Sequence, residues 1–139
     1  MLESMIHRGP LHFLAFAGVA IALAFHPVAR AAAPAELLAG YASQAGTPGV
    51  AARGEQFFTS THGREWSCGT CHGATPVGGG KHAVTGKAIA PLAPAANAQR
   101  FSDAARVEKW FRRNCNDVVG RECTAGEKAD MLAWLLTLK

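Results

Sequence analysis

The chain has 139 residues, with 14 Lys and Arg against 10 Asp and Glu, six His and four Cys. A formal charge of +4 spread over that length marks no nucleic-acid-binding surface, and the length itself suits a single small domain rather than several.

The first segment reads as an address rather than as structure. Arg8 gives a basic start, Leu11 to Phe25 form an apolar run, and Ala29-Arg30-Ala31 and Ala31-Ala32-Ala33 follow with the small-x-small pattern of a secretory cleavage site. The run is shorter than the ~20 apolar residues that span a bilayer. Residues 1–33 are therefore expected to be a cleaved signal peptide and residues 34–139 the working domain, periplasmic and without stable membrane insertion. That domain carries 12 Lys and Arg against 9 Asp and Glu, a net +3.

Along the domain, Glu36 to Gln44 is a short helix candidate closed by Gly46, Pro48 and Gly49. A second helix is expected from Val50 to about Thr59, with Gly54 and Phe58 four apart on one face. Gly73 to Arg100 is rich in Gly, Pro and Ala and shows no helical or strand period, so it is read as one long loop. Ser102 is the expected cap of a third helix running to about Asn114, with Val107, Trp110 and Phe111 as its apolar face. Thr124-Ala125-Gly126-Glu127 fits a capping box. It opens a last helix with Met131, Trp134, Leu135 and Leu138 in one stripe to the C-terminus. No strand is evident, so the fold class is all-α.

Between the second helix and the loop lies Ser67-Cys68-Gly69-Thr70-Cys71-His72-Gly73. Cys-x-x-Cys-His is the attachment site of a c-type haem, two thioether bonds from Cys68 and Cys71 and an axial imidazole from His72. A zinc site would call for a second Cys-x-x-Cys pair; Cys115 and Cys123 are wrongly spaced and lack a nearby histidine. In an oxidising compartment those two thiols are expected to join as a disulfide. The order helix, Cys-x-x-Cys-His, loop, helix, terminal aromatic-bearing helix resembles class I cytochromes c, whose first and last helices cross at a glycine-aromatic contact. Gly54 and Phe58 facing Trp134 match that contact. One covalent haem c, wrapped by the long loop, is the implied cofactor, and its propionates would bring the domain near neutrality.

The second axial ligand is not read as easily. Met131 sits within the stripe of the last helix and is better placed as a core residue. His82 lies in the glycine-rich loop and His62 six residues before the motif. The remaining segment, Arg112 to Cys123, stands where a methionine loop would be and is polar, with Asn114 and Asn116 as its amides. The residues alone do not choose between the two.

The run RVEKWFRRNCNDVVGRECTAGEKADMLAWLL, with TGKAIAPLAP upstream, resembles the Sphaeroides haem protein family, small periplasmic class I-like cytochromes with a high-spin haem and an asparagine axial ligand. The likeness covers about Glu36 to Leu138. It implies Asn114 as the sixth ligand and Cys115–Cys123 as the disulfide. An amide oxygen is a hard, weak-field donor, tolerated by ferric iron and poorly held by ferrous iron. Asn114 is thus expected to leave on reduction and open the iron to O₂, NO or CO. The implied function is electron transfer with small-ligand binding, the partner being another cytochrome or a membrane electron donor. The alternatives are a six-coordinate electron shuttle held by Met131 or a histidine, and a haem reductase of a small molecule with Asp117 as nearest acid. An electron carrier or ligand-binding protein is favoured over an enzyme. Pro91 is the expected carbonyl partner of the His72 ring N–H, and Lys87, Arg100, Arg112 and Arg113 are candidates to face propionates.

Overall fold

A computed structural model describes residues 33–139; of the expected leader, all but Ala33 lies outside them. The elements are α1 (Pro34–Ala45), α2 (Ala51–Thr59), α3 (Cys68–His72), β1 (Gly80–Lys81), β2 (Ala88–Ile89), α4 (Ala104–Val118) and α5 (Ala125–Leu135). The all-α class stands. The one addition is a two-residue antiparallel ribbon, Gly80 opposite Ile89 and Lys81 opposite Ala88. It carries no alternating apolar pattern, so its pairing is backbone hydrogen bonding without a sequence signature.

Each helix start has a local cause. Pro34 opens α1, where its missing N–H costs nothing, and Glu36 accepts from the Ala33 N–H at 3.2 Å. Gly46 ends the helix with φ 69°, the left-handed conformation that glycine adopts freely. In α5 the expected capping box is present, with Thr124 Oγ1 accepting from Glu127 N and Glu127 Oε2 accepting from Thr124 N. Two differences concern α4. Its cap is Asp103, whose Oδ1 accepts from Arg106 N at 3.0 Å, rather than Ser102, which hydrogen-bonds back to Gln99 O. It also runs past Asn114 to Val118. No Gly or Pro interrupts it before Gly120, and Arg113 and Asp117 sit i,i+4 on it. Cys115 to Val118, expected to lie beyond the helix, are thus helical.

The core forms where α1 and α2 pack on α5. A Cβ placed on Gly54 would collide with the carbonyl of Asp130, the backbone of α5, so only glycine lets the two helices approach so closely. One turn on, Phe58 meets Trp134 with ring centroids 4.9 Å apart. The expected glycine-aromatic crossing is therefore present. A polar contact that the sequence did not announce pins it: Asp130, buried, accepts from the Val50 N–H at 2.6 Å and from Arg53 at 2.7 and 2.8 Å. Burial pushes the Asp130 carboxyl up, but the bonds from Arg53 and Val50 outweigh it and hold the group below its ordinary range. Met131 is buried in the same core cluster.

Candidate functional site

The five residues of α3 hold both thiols and the imidazole on little more than one helical turn. A reciprocal cap sets that turn. Ser67 Oγ accepts from Thr70 N at 3.1 Å, and Thr70 Oγ1 accepts from Ser67 N at 3.0 Å. Thr70, a variable position of the motif, is thus the residue that closes its own helix, and Ser67-x-x-Thr70 is a signal that was readable in advance.

Three rings tie the motif to the core. Trp134 on α5 touches Phe58 on α2, and Phe58 stands 6.2 Å from the His72 ring at 49°. Burial, aided by the positive charge of Arg100, pushes the His72 imidazole below its ordinary pKa. It is therefore neutral at physiological pH, the form that coordinates a metal. Burial raises the Cys68 thiol to about 11, which keeps it a thiol rather than a thiolate. Cys68 and Cys71 are both half-buried and not joined to one another. On the other side, Cys71 Sγ accepts from the Ala83 N–H at 3.4 Å. A Cβ on Gly80 would strike the carbonyl of Cys71, so β1 lies flush against α3. Two unpaired thiols and a neutral imidazole on one capped turn form a donor set that fits a covalently held haem.

The segment Ala90–Pro91 is clamped by Arg100, whose Nη2 donates to Ala90 O at 2.9 Å and whose Nε donates to Pro91 O at 3.0 Å. Asn97 Nδ2 donates to the same Pro91 oxygen at 3.3 Å. The carbonyl expected to receive the His72 ring N–H is therefore taken by two other donors. Of the propionate candidates, Arg100 has this internal role, Arg112 lies 3.4 Å from Glu122, and Arg113 lies 4.0 Å from Asp117 and over the Trp110 ring. Lys87 is exposed.

The sixth-ligand candidates separate by what holds them. His62 is folded onto Phe57, ring centroids 4.4 Å apart, with Nε2 2.9 Å from the Phe57 carbonyl oxygen. His82 Nδ1 accepts from the Val84 and Thr85 N–H groups in an exposed turn. Met131 is 6% exposed within α5. Asn116 donates its amide to Arg112 O at 2.7 Å, one turn back on its own helix. Asn114 has an exposed side chain one turn beyond Trp110, itself 45% exposed, and among the described residues its amide has no hydrogen-bond partner. Asp117, one turn further, lines a cleft of about 280 Å³ with Arg64, Glu65 and Trp66. Cys115, the next residue after Asn114, is buried and bonded to Cys123, eight positions on, with Cα atoms 5.6 Å apart. The expected disulfide is present.

Comparison with known proteins agrees with this architecture. Residues 44–135 match the family model described as a domain of unknown function, DUF1924. The chain is 58% identical over 106 residues to the cytochrome c-type protein SHP of Cereibacter sphaeroides, covering 73% of this chain and 81% of that protein. The structure of oxidized SHP, an oxygen-binding cytochrome c, superposes with a TM-score of 0.71 at 55% identity, covering 76% of this chain and 96% of that one. Oxidized cytochrome c'' of Methylophilus methylotrophus superposes at 0.69 with 36% identity, covering 76% and 94%. With the Cys-x-x-Cys-His turn on a helical core of this kind, the chain is a c-type cytochrome with covalently bound haem, and it belongs to the Sphaeroides haem protein family.

Proposed function

We propose that this cytochrome is a periplasmic electron carrier that also binds a small diatomic ligand, O₂, NO or CO, on the face of the haem opposite His72. Bound haem supplies a one-electron couple and an iron that takes an exogenous ligand. Cys68 and Cys71 tether it, and His72, neutral and backed by Phe58, holds it from the buried side. Asn114 would hold the ferric iron through its amide oxygen and would let go on reduction, since an amide oxygen suits the harder ferric ion. The disulfide at the adjacent Cys115 keeps Asn114 within reach for its return. The electron comes from another cytochrome or a membrane donor meeting the protein transiently; such contacts are small. Residues 1–33 act as the export leader and are removed; among the described residues no helix is long and apolar enough to cross a membrane.

The observation that carries this reading is the contrast among the candidate sixth ligands. Among the described residues Asn114 has a free amide, one turn from exposed Trp110, whereas Asn116, His62, His82 and Met131 are each engaged elsewhere. The test is the optical spectrum of purified holoprotein, ferric and dithionite-reduced, with and without CO. Asn114→Ala should alter the ferric spectrum while Asn116→Ala leaves it as wild type, and the reduced wild type should be high-spin and respond at once to CO. A low-spin ferrous protein indifferent to CO refutes the proposal and makes the chain a six-coordinate electron shuttle.

A further inference from the structure

The helix that carries Asn114 is tied to the core by a carboxylate that the site itself does not use. Glu108 on α4 accepts from the Tyr41 hydroxyl on α1 at 2.6 Å through Oε1, and from the Lys128 ammonium on α5 at 2.7 Å through Oε2. Each oxygen is thus committed to a different helix. The Lys128 side chain is only 15% exposed. Its ammonium lies 5.4 Å from the Tyr41 ring centroid and 5.7 Å from that of Phe111 on α4, and those two rings meet edge to face at 5.9 Å. Burial raises the Glu108 carboxyl, but the bonds from Lys128 and Tyr41 outweigh it and keep the group ionised.

We infer that the Tyr41–Glu108–Lys128 cluster is a positioning device that sets how firmly Asn114 is held at its ligating position. This rests on the reading of Asn114 as the sixth ligand. Glu108 and Asn114 lie six residues apart on one rigid helix, ~9 Å along its axis. A shift at one is carried to the other. The partners of Glu108 belong to the same α1–α5 scaffold that supports His72 through Trp134 and Phe58. The two faces of the haem site are therefore referenced to one frame. Without the Glu108 bonds, α4 retains the burial of Val107 and Phe111 and the disulfide at Cys115, and its middle is free to tilt away from α1 and α5. Glutamine at 108 keeps the volume but not the geometry, because its NH₂ group would face a donor.

The experiment measures cyanide association to ferric holoprotein, in which Asn114 must leave before cyanide enters, together with the thermal midpoint. Glu108→Gln should speed association ~10-fold, the scale set by losing a charge-assisted hydrogen bond, at temperatures well below its melting point. Tyr41→Phe, which removes one hydroxyl and keeps the ring packing, should speed it less. In an Asn114→Ala background neither substitution should change the rate. An unchanged rate in both single variants overturns the inference, as does an equal acceleration in the Asn114→Ala background, which would mean that the cluster acts on the pocket and not through Asn114. Asn114→Ala alone separates the two readings: wild-type cyanide kinetics and ferric spectrum in that variant remove the ligand assignment itself, and this inference with it.

Discussion

Replacing Gly54 by alanine probes the crossing on which the haem site rests. On an isolated helix the change would stabilise, since alanine is favoured over glycine by ~1 kcal/mol in a helix interior. Here the added methyl would lie 2.5 Å from the carbonyl carbon of Asp130 and 2.9 Å from the Met131 nitrogen, and closer still to the Asp130 oxygen. These are backbone atoms and no rotamer change relieves the clash. The helices must part, and the Phe58–Trp134 contact opens with them. Overpacking costs ~1–3 kcal/mol and the aromatic pair contributes ~0.5–1.5 kcal/mol, so a net loss of ~2 kcal/mol survives the propensity gain. For a domain of about this size that lowers Tm by ~8–16 °C. The assay is thermal unfolding of the holoprotein followed by far-UV ellipticity, with Gly40→Ala as the control. Gly40 lies within α1, and nothing comes within 4 Å of its added Cβ, so that variant should melt a few degrees above wild type. Gly54→Ala melting at or above wild type would refute the close-approach argument.

Three further outcomes are expected. Gly80→Ala should push β1 off α3, because the new Cβ meets the Cys71 carbonyl, and lower the fraction of purified protein carrying covalent haem, read from the ratio of Soret to protein absorbance; wild-type loading would contradict it. Asp130 is held below its ordinary value of 3.8, so its contribution is present above about pH 4 and is lost as the pH falls through its lower folded value. Asp130→Asn should therefore destabilise at neutral pH and flatten the acid limb of the stability profile, and an unchanged acid limb in urea titrations counts against the latch. Changing Cys115 and Cys123 together to serine should cost ~2.5 kcal/mol from the loop closed by the bond, seen as a lower urea midpoint; an equal midpoint would mean that α4 is held without it.

Chemistry that depends on neighbours in the chain was legible from residues alone. Cys68, Cys71 and His72 sit within five residues, so spacing is enough to name the haem motif, and Thr124 and Glu127 announce α5 because a cap is local. The disulfide was legible from compartment and count. The second face of the site was not. Asn114 and Asn116 are the same residue type two positions apart, and only family likeness preferred one; on α4 the Asn116 amide donates to Arg112 O, a contact set by the helix and not by the local sequence. The full extent of α4 is not legible in its polar run, because Asn there favours a turn, yet no Gly or Pro breaks the helix before Gly120 and Cys115 is buried within it.

What the sequence by itself determined about this protein is the attachment turn and the helical class, which rest on short-range periodicity and covalent chemistry; the glycine-aromatic pairing was expected only through likeness to class I cytochromes c. The tertiary structure alone decided the contacts between residues far apart in the chain. Asp130 caps α2 from 80 positions away, Gly80 seats against Cys71, Arg100 occupies the Pro91 carbonyl expected to meet His72, and Glu108 joins three helices. None of these residues looks unusual in its local window. A carboxylate, a glycine or an arginine acquires its role only when folding brings its partner into hydrogen-bonding or van der Waals range, and that distance is set by how the helices pack.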